Sequence, residues 1–237
     1  AGVSLAGPKS RDVLSKLFPD LDVSNKNLPF MGYAEDNLFG VPARIFRISF
    51  SGELAYEINV NSDSGLFMWE KILEVGKEFN IQPYGTEALS ILRIEMGHVA
   101  GPEIDGRTIP YDLALEGLIS KKKDFIGKNS LQKQAFNIND RQSIVGLVPM
   151  DKKTSIPEGS HLVKDKDAKL PNPKLGHVSS SCWSVENNNP FSLAIIKDGR
   201  KMVGQQLYAI SPLNNTAVQV EVISSHYVDK EGVRVRS

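Results

Sequence analysis

Apolar Val3 and Leu5 flank polar Ser4 in Val3-Ser4-Leu5-Ala6, which reads as a short strand. Gly7-Pro8 then turns the chain into a helix, with Pro8 near the first helical position, where its missing N–H costs nothing. Val13, Leu14 and Leu17 supply the apolar face of that helix, and residues 19–31 are polar and read as a loop. Residues 44–50 and 54–60 are rich in aromatic and β-branched residues, and Ser51-Gly52-Glu53 joins them as a hairpin. In the second strand Tyr56, Ile58 and Val60 share one face, and Ala55, Glu57 and Asn59 the other. Ser62-Asp63 reads as a helix cap. Leu66, Trp69, Ile72 and Leu73 then recur at helical spacing up to about residue 79. A further helix covers residues 86–96 and is closed by Gly97. A short helix is expected around Ser130-Leu131.

The texture changes near Asp140-Arg141. Short β-rich runs follow at residues 144–148, 175–179, 192–196, 206–210 and 217–223. Turn clusters separate them: Pro157-Glu158-Gly159, Asn187-Asn188-Asn189-Pro190 and Pro212-Leu213-Asn214-Asn215. The expected organisation is an α+β region over residues 1–138 and a small all-β sandwich or barrel over residues 139–237, with the junction between 134 and 142.

Composition narrows the function classes. A length of 237 residues suits two small domains. Lys plus Arg is 28 and Asp plus Glu is 28, so no basic surface is available for general nucleic-acid binding. One cysteine, Cys182, excludes an internal disulfide and a cysteine-rich zinc site. No stretch approaches the roughly 20 apolar residues that span a bilayer, and the first residues lack a secretory pattern. A cytoplasmic protein without membrane contact is expected. The chain starts at Ala1 without an initiator Met, in strand-like sequence, and a fragment is therefore expected.

Few motifs carry chemistry. No Gly-x-Gly-x-x-Gly follows a strand and no Gly-x-Ser-x-Gly elbow occurs. Ile126-Gly127-Lys128-Asn129-Ser130 resembles the end of a phosphate loop, but residue 122 is Lys where a glycine is needed. His98, His161, His177 and His226 contain no i, i+4 pair, so no helical zinc pair exists and no metal site is expected. One position does not fit its surroundings. On the helix over 86–96, Ala88, Ile91 and Leu92 form a stripe, with Ser90 and Arg93 on the other side, and Glu95 falls inside that stripe. A carboxylate on a buried face is costly unless something pairs with it. Either the helix ends a turn early and frees Glu95, or Glu95 is held to recognise an N–H-rich ligand. Lys121-Lys122-Lys123 is similarly open, as a solvated loop or as an anion-binding cluster.

Leu92-Arg93-Ile94-Glu95-Met96-Gly97, followed by Gly101-Pro102-Glu103-Ile104-Asp105, resembles the L-R-x-E-x-G segment of the aminomethyltransferase family, the glycine cleavage T-proteins. Phe50-Ser51-Gly52-Glu53-Leu54-Ala55-Tyr56-Glu57-Ile58 is similar to the hairpin of that family. Leu5-Ala6-Gly7-Pro8 is similar to its L-x-G-P turn, and Gly176-His177-Val178-Ser179-Ser180 to its barrel strand I-G-x-V-T-S. Within the family the wording most resembles the C-terminal folate-binding part of heterotetrameric sarcosine oxidase α subunits. The stretches that carry this are residues 41–50, 83–88 and 120–128.

The resemblance implies a fold of class α+β, a ferredoxin-like folate-binding region followed by a C-terminal β-barrel. It implies tetrahydrofolate as cofactor, with flavin only in a partner subunit. The implied activity is capture of a one-carbon unit from an N-methyl amine as 5,10-methylenetetrahydrofolate. A glycine cleavage T-protein or another folate-dependent demethylase is the alternative, and a non-catalytic folate-binding or assembly module a third. Matched residue by residue, Glu95 stands where the family's glutamate bonds the pterin. Lys123 stands where T-proteins have a folate-binding arginine, so a bidentate fork is replaced by a point charge. Tyr227 matches a folate-contacting tyrosine, and Glu53 a family-typical position in the hairpin. The family's catalytic aspartate lies upstream of the L-x-G-P strand, so no residue here inherits that role.

Overall fold

A computed structural model of the chain describes residues 1–133, 136, 141–167 and 174–237. The expected junction between 134 and 142 lies for the most part outside them. The described residues form two compact units: Ala1–Arg93 together with Asp229–Ser237, and Ile94–Val228.

The first unit is built on an antiparallel sheet in the order β1-β4-β3-β2, with β1 at Gly2–Ala6, β2 at Tyr33–Leu38, β3 at Val41–Phe46 and β4 at Ala55–Val60. Helix α1 (Ser10–Leu17) buries Val13, Leu14 and Leu17 as its spacing predicts, although it starts two residues after Pro8. Helix α2 (Gly65–Gly76) buries Met68, Ile72 and Gly76. Leu66 and Trp69, expected on the buried face, are exposed. The core joins α1 and α2 to Leu5, Ala43, Ile45, Tyr56 and Ile58 of the sheet. The segment between β3 and β4 is longer than the three-residue turn expected, because β3 ends at Phe46 and β4 starts at Ala55. Arg47 leaves the strand to bury its guanidinium, donating to Leu28 O and Asn25 Oδ1.

The second unit starts in α3 (Thr86–Glu95) and contains a closed barrel in the order β10-β5-β8-β7-β6-β9. The strands are β5 (Gln142–Pro149), β6 (His161–Val163), β7 (Gly176–Ser184), β8 (Asn189–Lys197), β9 (Gln206–Ser211) and β10 (Thr216–Ile223). β10 alternates cleanly, with Val218, Val220 and Val222 inside and Gln219 and Glu221 outside. β5 and β8 are apolar on both faces. Val145, Leu147, Ala194 and Ile196 fill the barrel. Ile144, Val148, Phe191, Leu193 and Ile195 face the opposite way, against Ile94, Leu113 and Tyr227. That second apolar layer fastens the end of α3 to the barrel wall. The short helix α4 covers Lys128–Leu131.

Candidate functional site

Glu95 is the last residue of α3 and is only 5 % exposed. The helix therefore does not end early to release it. Arg93, expected on the opposite side, is buried as well, so residues 93–96 are enclosed on every side and the helical wheel alone does not single out Glu95. What distinguishes Glu95 is its chemistry. Ser184 Oγ donates to its Oε1 at 2.6 Å. No other donor bonds the carboxylate among the described residues.

The main chain at the same point is tied just as firmly. The amides of Tyr227 and Val228 donate to Glu95 O at 2.9 and 3.0 Å, capping the end of α3. Gly97 permits this approach. It closes the helix with φ +70°, and a Cβ there would lie 2.6 Å from Ser225 O. Tyr227 is thereby set beside Glu95. Its ring stacks on Phe191 with centroids 4.4 Å apart and planes 7° apart. Its hydroxyl lies 2.8 Å from Asn189 Nδ2 and 2.9 Å from Asn189 Oδ1. Two of the four expected residues, Glu95 and Tyr227, are thus brought together.

The other two are placed differently. Lys123 is exposed on the loop before α4, its amide donating to Ser120 Oγ at 2.9 Å. Glu53 belongs to the first unit, where Arg234 Nη1 donates to its Oε1 at 3.2 Å. Glu103 and Asp105 were expected only to form a turn, and Glu103 does more. Only 1 % exposed, it accepts from the amide of Ala100 at 2.9 Å and from Ser180 Oγ at 2.6 Å, pinning the loop after α3 to β7.

Ser184 and Asn189 have no counterpart in the sequence reading, which marked residues 187–190 only as a turn. Nothing along the chain ties Ser184 to a carboxylate 89 positions away. A cavity of about 510 Å³ in the first unit runs along β1 and is lined by Trp69, Leu73, Phe79 and Tyr84. It contains no carboxylate, and none of the expected site residues lines it. No group of three or more His, Cys, Asp or Glu is placed to hold a metal among the described residues. No helix among them is long and apolar enough to cross a membrane.

Comparisons with known proteins place the chain in a family. The chain is 42% identical over 238 residues to sarcosine oxidase subunit alpha of Corynebacterium sp. (strain P-1), covering 99% of the chain and 24% of that protein. It is 28% identical over 233 residues to an aminomethyltransferase of Thermoanaerobacter sp. (strain X514), covering 97% of the chain and 60% of the relative. The chain thus spans about a quarter of the length of the sarcosine oxidase relatives it matches. The crystal structure of glycine cleavage system aminomethyltransferase T from Bartonella henselae superposes with a TM-score of 0.78 at 23% identity, over 97% of the chain and 60% of that structure, and shows the same fold. The family model of the GCVT N-terminal domain matches residues 1–123, a little over half of the chain, which therefore belongs to the GCVT aminomethyltransferase family.

Proposed function

We propose that this chain is the folate-binding part of a tetrahydrofolate-dependent one-carbon transferase of the sarcosine oxidase α type, working in the cytoplasm. One observation carries the reading: a nearly buried carboxylate, Glu95, that receives a single hydrogen bond among the described residues. Such a group is expensive to bury alone and is stabilised by a ligand that offers N–H donors. A pterin ring offers two in parallel, the ring N–H and the 2-amino group, and a carboxylate accepts such a pair with both affinity and orientation. The donor set therefore fits tetrahydrofolate. When bound, that cofactor supplies the nucleophilic nitrogens that take up a one-carbon unit and leave as 5,10-methylenetetrahydrofolate.

The residues of the chain bind and orient. Glu95 fixes the pterin edge, and Tyr227, held beside it, gives an aromatic wall. Lys123 contributes a point charge from its loop, suited to an anionic part of the cofactor. Glu53, engaged by Arg234, holds the β3–β4 segment to the C-terminal turn. The one-carbon donor would be an N-methyl amine oxidised to an imine by flavin in a partner subunit, and the bound orientation brings the reacting atoms together. The identity of 42% over nearly the whole chain supports the sarcosine oxidase type over the aminomethyltransferases, which are 27% to 30% identical.

Titration calorimetry with tetrahydrofolate tests the assignment. Two hydrogen bonds to a charged group are lost in Glu95→Ala, so affinity is expected to fall on the order of 100-fold. Equal affinity for wild type and Glu95→Ala would remove Glu95 from the site.

A further inference from the structure

Ser184 and Asn189 face each other in the register where β7 and β8 meet, closing a four-residue turn at 185–188. Both are buried, Ser184 completely and Asn189 to 5 % exposure. Each grips a different side chain. Ser184 holds the Glu95 carboxylate, and Asn189 holds the Tyr227 hydroxyl. The direction of the Ser184 proton is itself fixed. The amide of Asn187 and its Nδ2 lie 3.2 and 3.3 Å from Ser184 Oγ and donate to it, which leaves the single hydroxyl hydrogen for Glu95. A hairpin that only needed to turn would not need buried polar groups reaching across to a helix end and a separate loop.

We propose that Ser184 and Asn189 are positioning residues of the folate site, and that the β7–β8 hairpin sets the orientation of the Glu95 carboxylate and the Tyr227 ring for the incoming pterin. The proposal rests on the reading of Glu95 as the pterin acceptor. A carboxylate on a flexible bond can rotate, and a rotated carboxylate meets two parallel N–H donors poorly. Ser184 occupies one lone pair of Oε1 and leaves Oε2 and the second lone pair of Oε1 in a fixed plane. Asn189 acts likewise on Tyr227, whose ring would otherwise be free to swing away from the helix end.

The test is a double-mutant cycle read by titration calorimetry with tetrahydrofolate on the intact protein. Ser184→Ala is expected to weaken binding about fivefold in the wild-type background, the cost of ordering one side chain that Ser184 otherwise holds in place. In a Glu95→Ala background the same change is expected to alter affinity less than about twofold, because the group it orients has gone. Ser184→Thr keeps the hydroxyl and restores most of the affinity. Asn189→Ala is expected to weaken binding about threefold, and this effect disappears in Tyr227→Phe. Near-ultraviolet circular dichroism checks that each variant is folded, and Ser184→Cys replaces Ser184→Ala if the latter does not fold. A merely structural role predicts an equal loss with Ser184→Ala in both backgrounds and no rescue by Thr, and that outcome overturns the proposal. A Glu95 variant that loses affinity while Ser184→Ala does not would overturn the positioning role alone. A Glu95 variant of unchanged affinity would remove both readings together.

Discussion

Arg141 and Asp112 form a deeply buried ion pair in the second unit, and breaking it from either side should have unequal consequences. Asp112 is 2 % exposed, while the Arg141 side chain keeps 18 % of its surface. Arg141 Nε donates to Asp112 Oδ1 at 2.8 Å, its Nη2 bonds Oδ2, and the amide of Ile109 adds a third donor at 3.0 Å. The carboxylate in turn raises the Arg141 guanidinium above its usual range through these hydrogen bonds. Arg141→Met keeps most of the aliphatic stem and leaves a buried carboxylate with one amide donor. Removing one partner of a buried pair costs about 3–5 kcal/mol, and the near-total burial of Asp112 puts this variant at about 4 kcal/mol. Asp112→Asn leaves a cation that still reaches water and Arg107 O at 3.2 Å, with an amide oxygen still able to accept. The loss is then closer to one hydrogen bond to a charged group, about 1.5 kcal/mol. With a urea slope of about 2 kcal/mol/M, the midpoints fall by about 2 M and about 0.8 M. Trp69 and Trp183 are the only tryptophans, and Trp69 lies in the first unit. Urea unfolding followed by Trp183 fluorescence in a Trp69→Phe background therefore reads the barrel unit. If Asp112→Asn lowered the midpoint as much as Arg141→Met, an uncompensated buried anion would not be what the pair prevents.

Three further expectations concern the same unit. Gly97→Ala forces a left-handed residue to carry a Cβ 2.6 Å from Ser225 O, so it should lose about 3 kcal/mol in urea unfolding; a loss under about 1 kcal/mol would show that the 225–228 segment gives way easily. His177 and His226 both titrate below the ordinary value of 6.5, mainly because burial disfavours the charged ring, with Arg107 and His98 respectively adding to it. The unfolded chain then binds more protons below pH 6.5, so stability should be full above that value and fall as pH drops through it. Thermal unfolding at about pH 7.5 and about pH 5.5 should show the drop, which His177→Gln with His226→Gln should flatten; an unchanged slope in the double variant would refute the assignment. Lys123→Ala should weaken tetrahydrofolate binding about threefold at low salt and hardly at all near 1 M salt, as an exposed point charge requires; a loss that persists in high salt would instead mean a short direct contact.

How far the fold could be read from the chain depends on how many neighbours each element needs. β10 shows its inside face in the alternation of Val218, Val220 and Val222 with Gln219 and Glu221, because one side packs and the other meets water. β2 went unassigned for the opposite reason. Its Glu35, Asp36 and Asn37 suit an edge strand with little to bury, so no apolar pattern marks it. In α2 the apolar residues outnumber the places the core offers. Met68 and Ile72 take those places while Leu66 stays outside, and spacing alone cannot choose between two apolar stripes one residue apart. The site follows the same rule. Glu95 was legible as an acid among apolar neighbours and through the L-R-x-E-x-G wording, not through the wheel, which set the equally buried Arg93 on the open side. Its partner was not, because the Ser184 contact exists only once the barrel has closed and β8 has turned its second apolar face toward Ile94 and Tyr227. The two faces of β8 therefore divide the work: Ala194 and Ile196 close the barrel, while Phe191, Leu193 and Ile195 anchor the helix end. The hairpin that begins β8 can hold Glu95 and Tyr227 in one geometry only while both faces are packed. Substitutions at Phe191 should consequently disturb folate binding before they disturb the barrel.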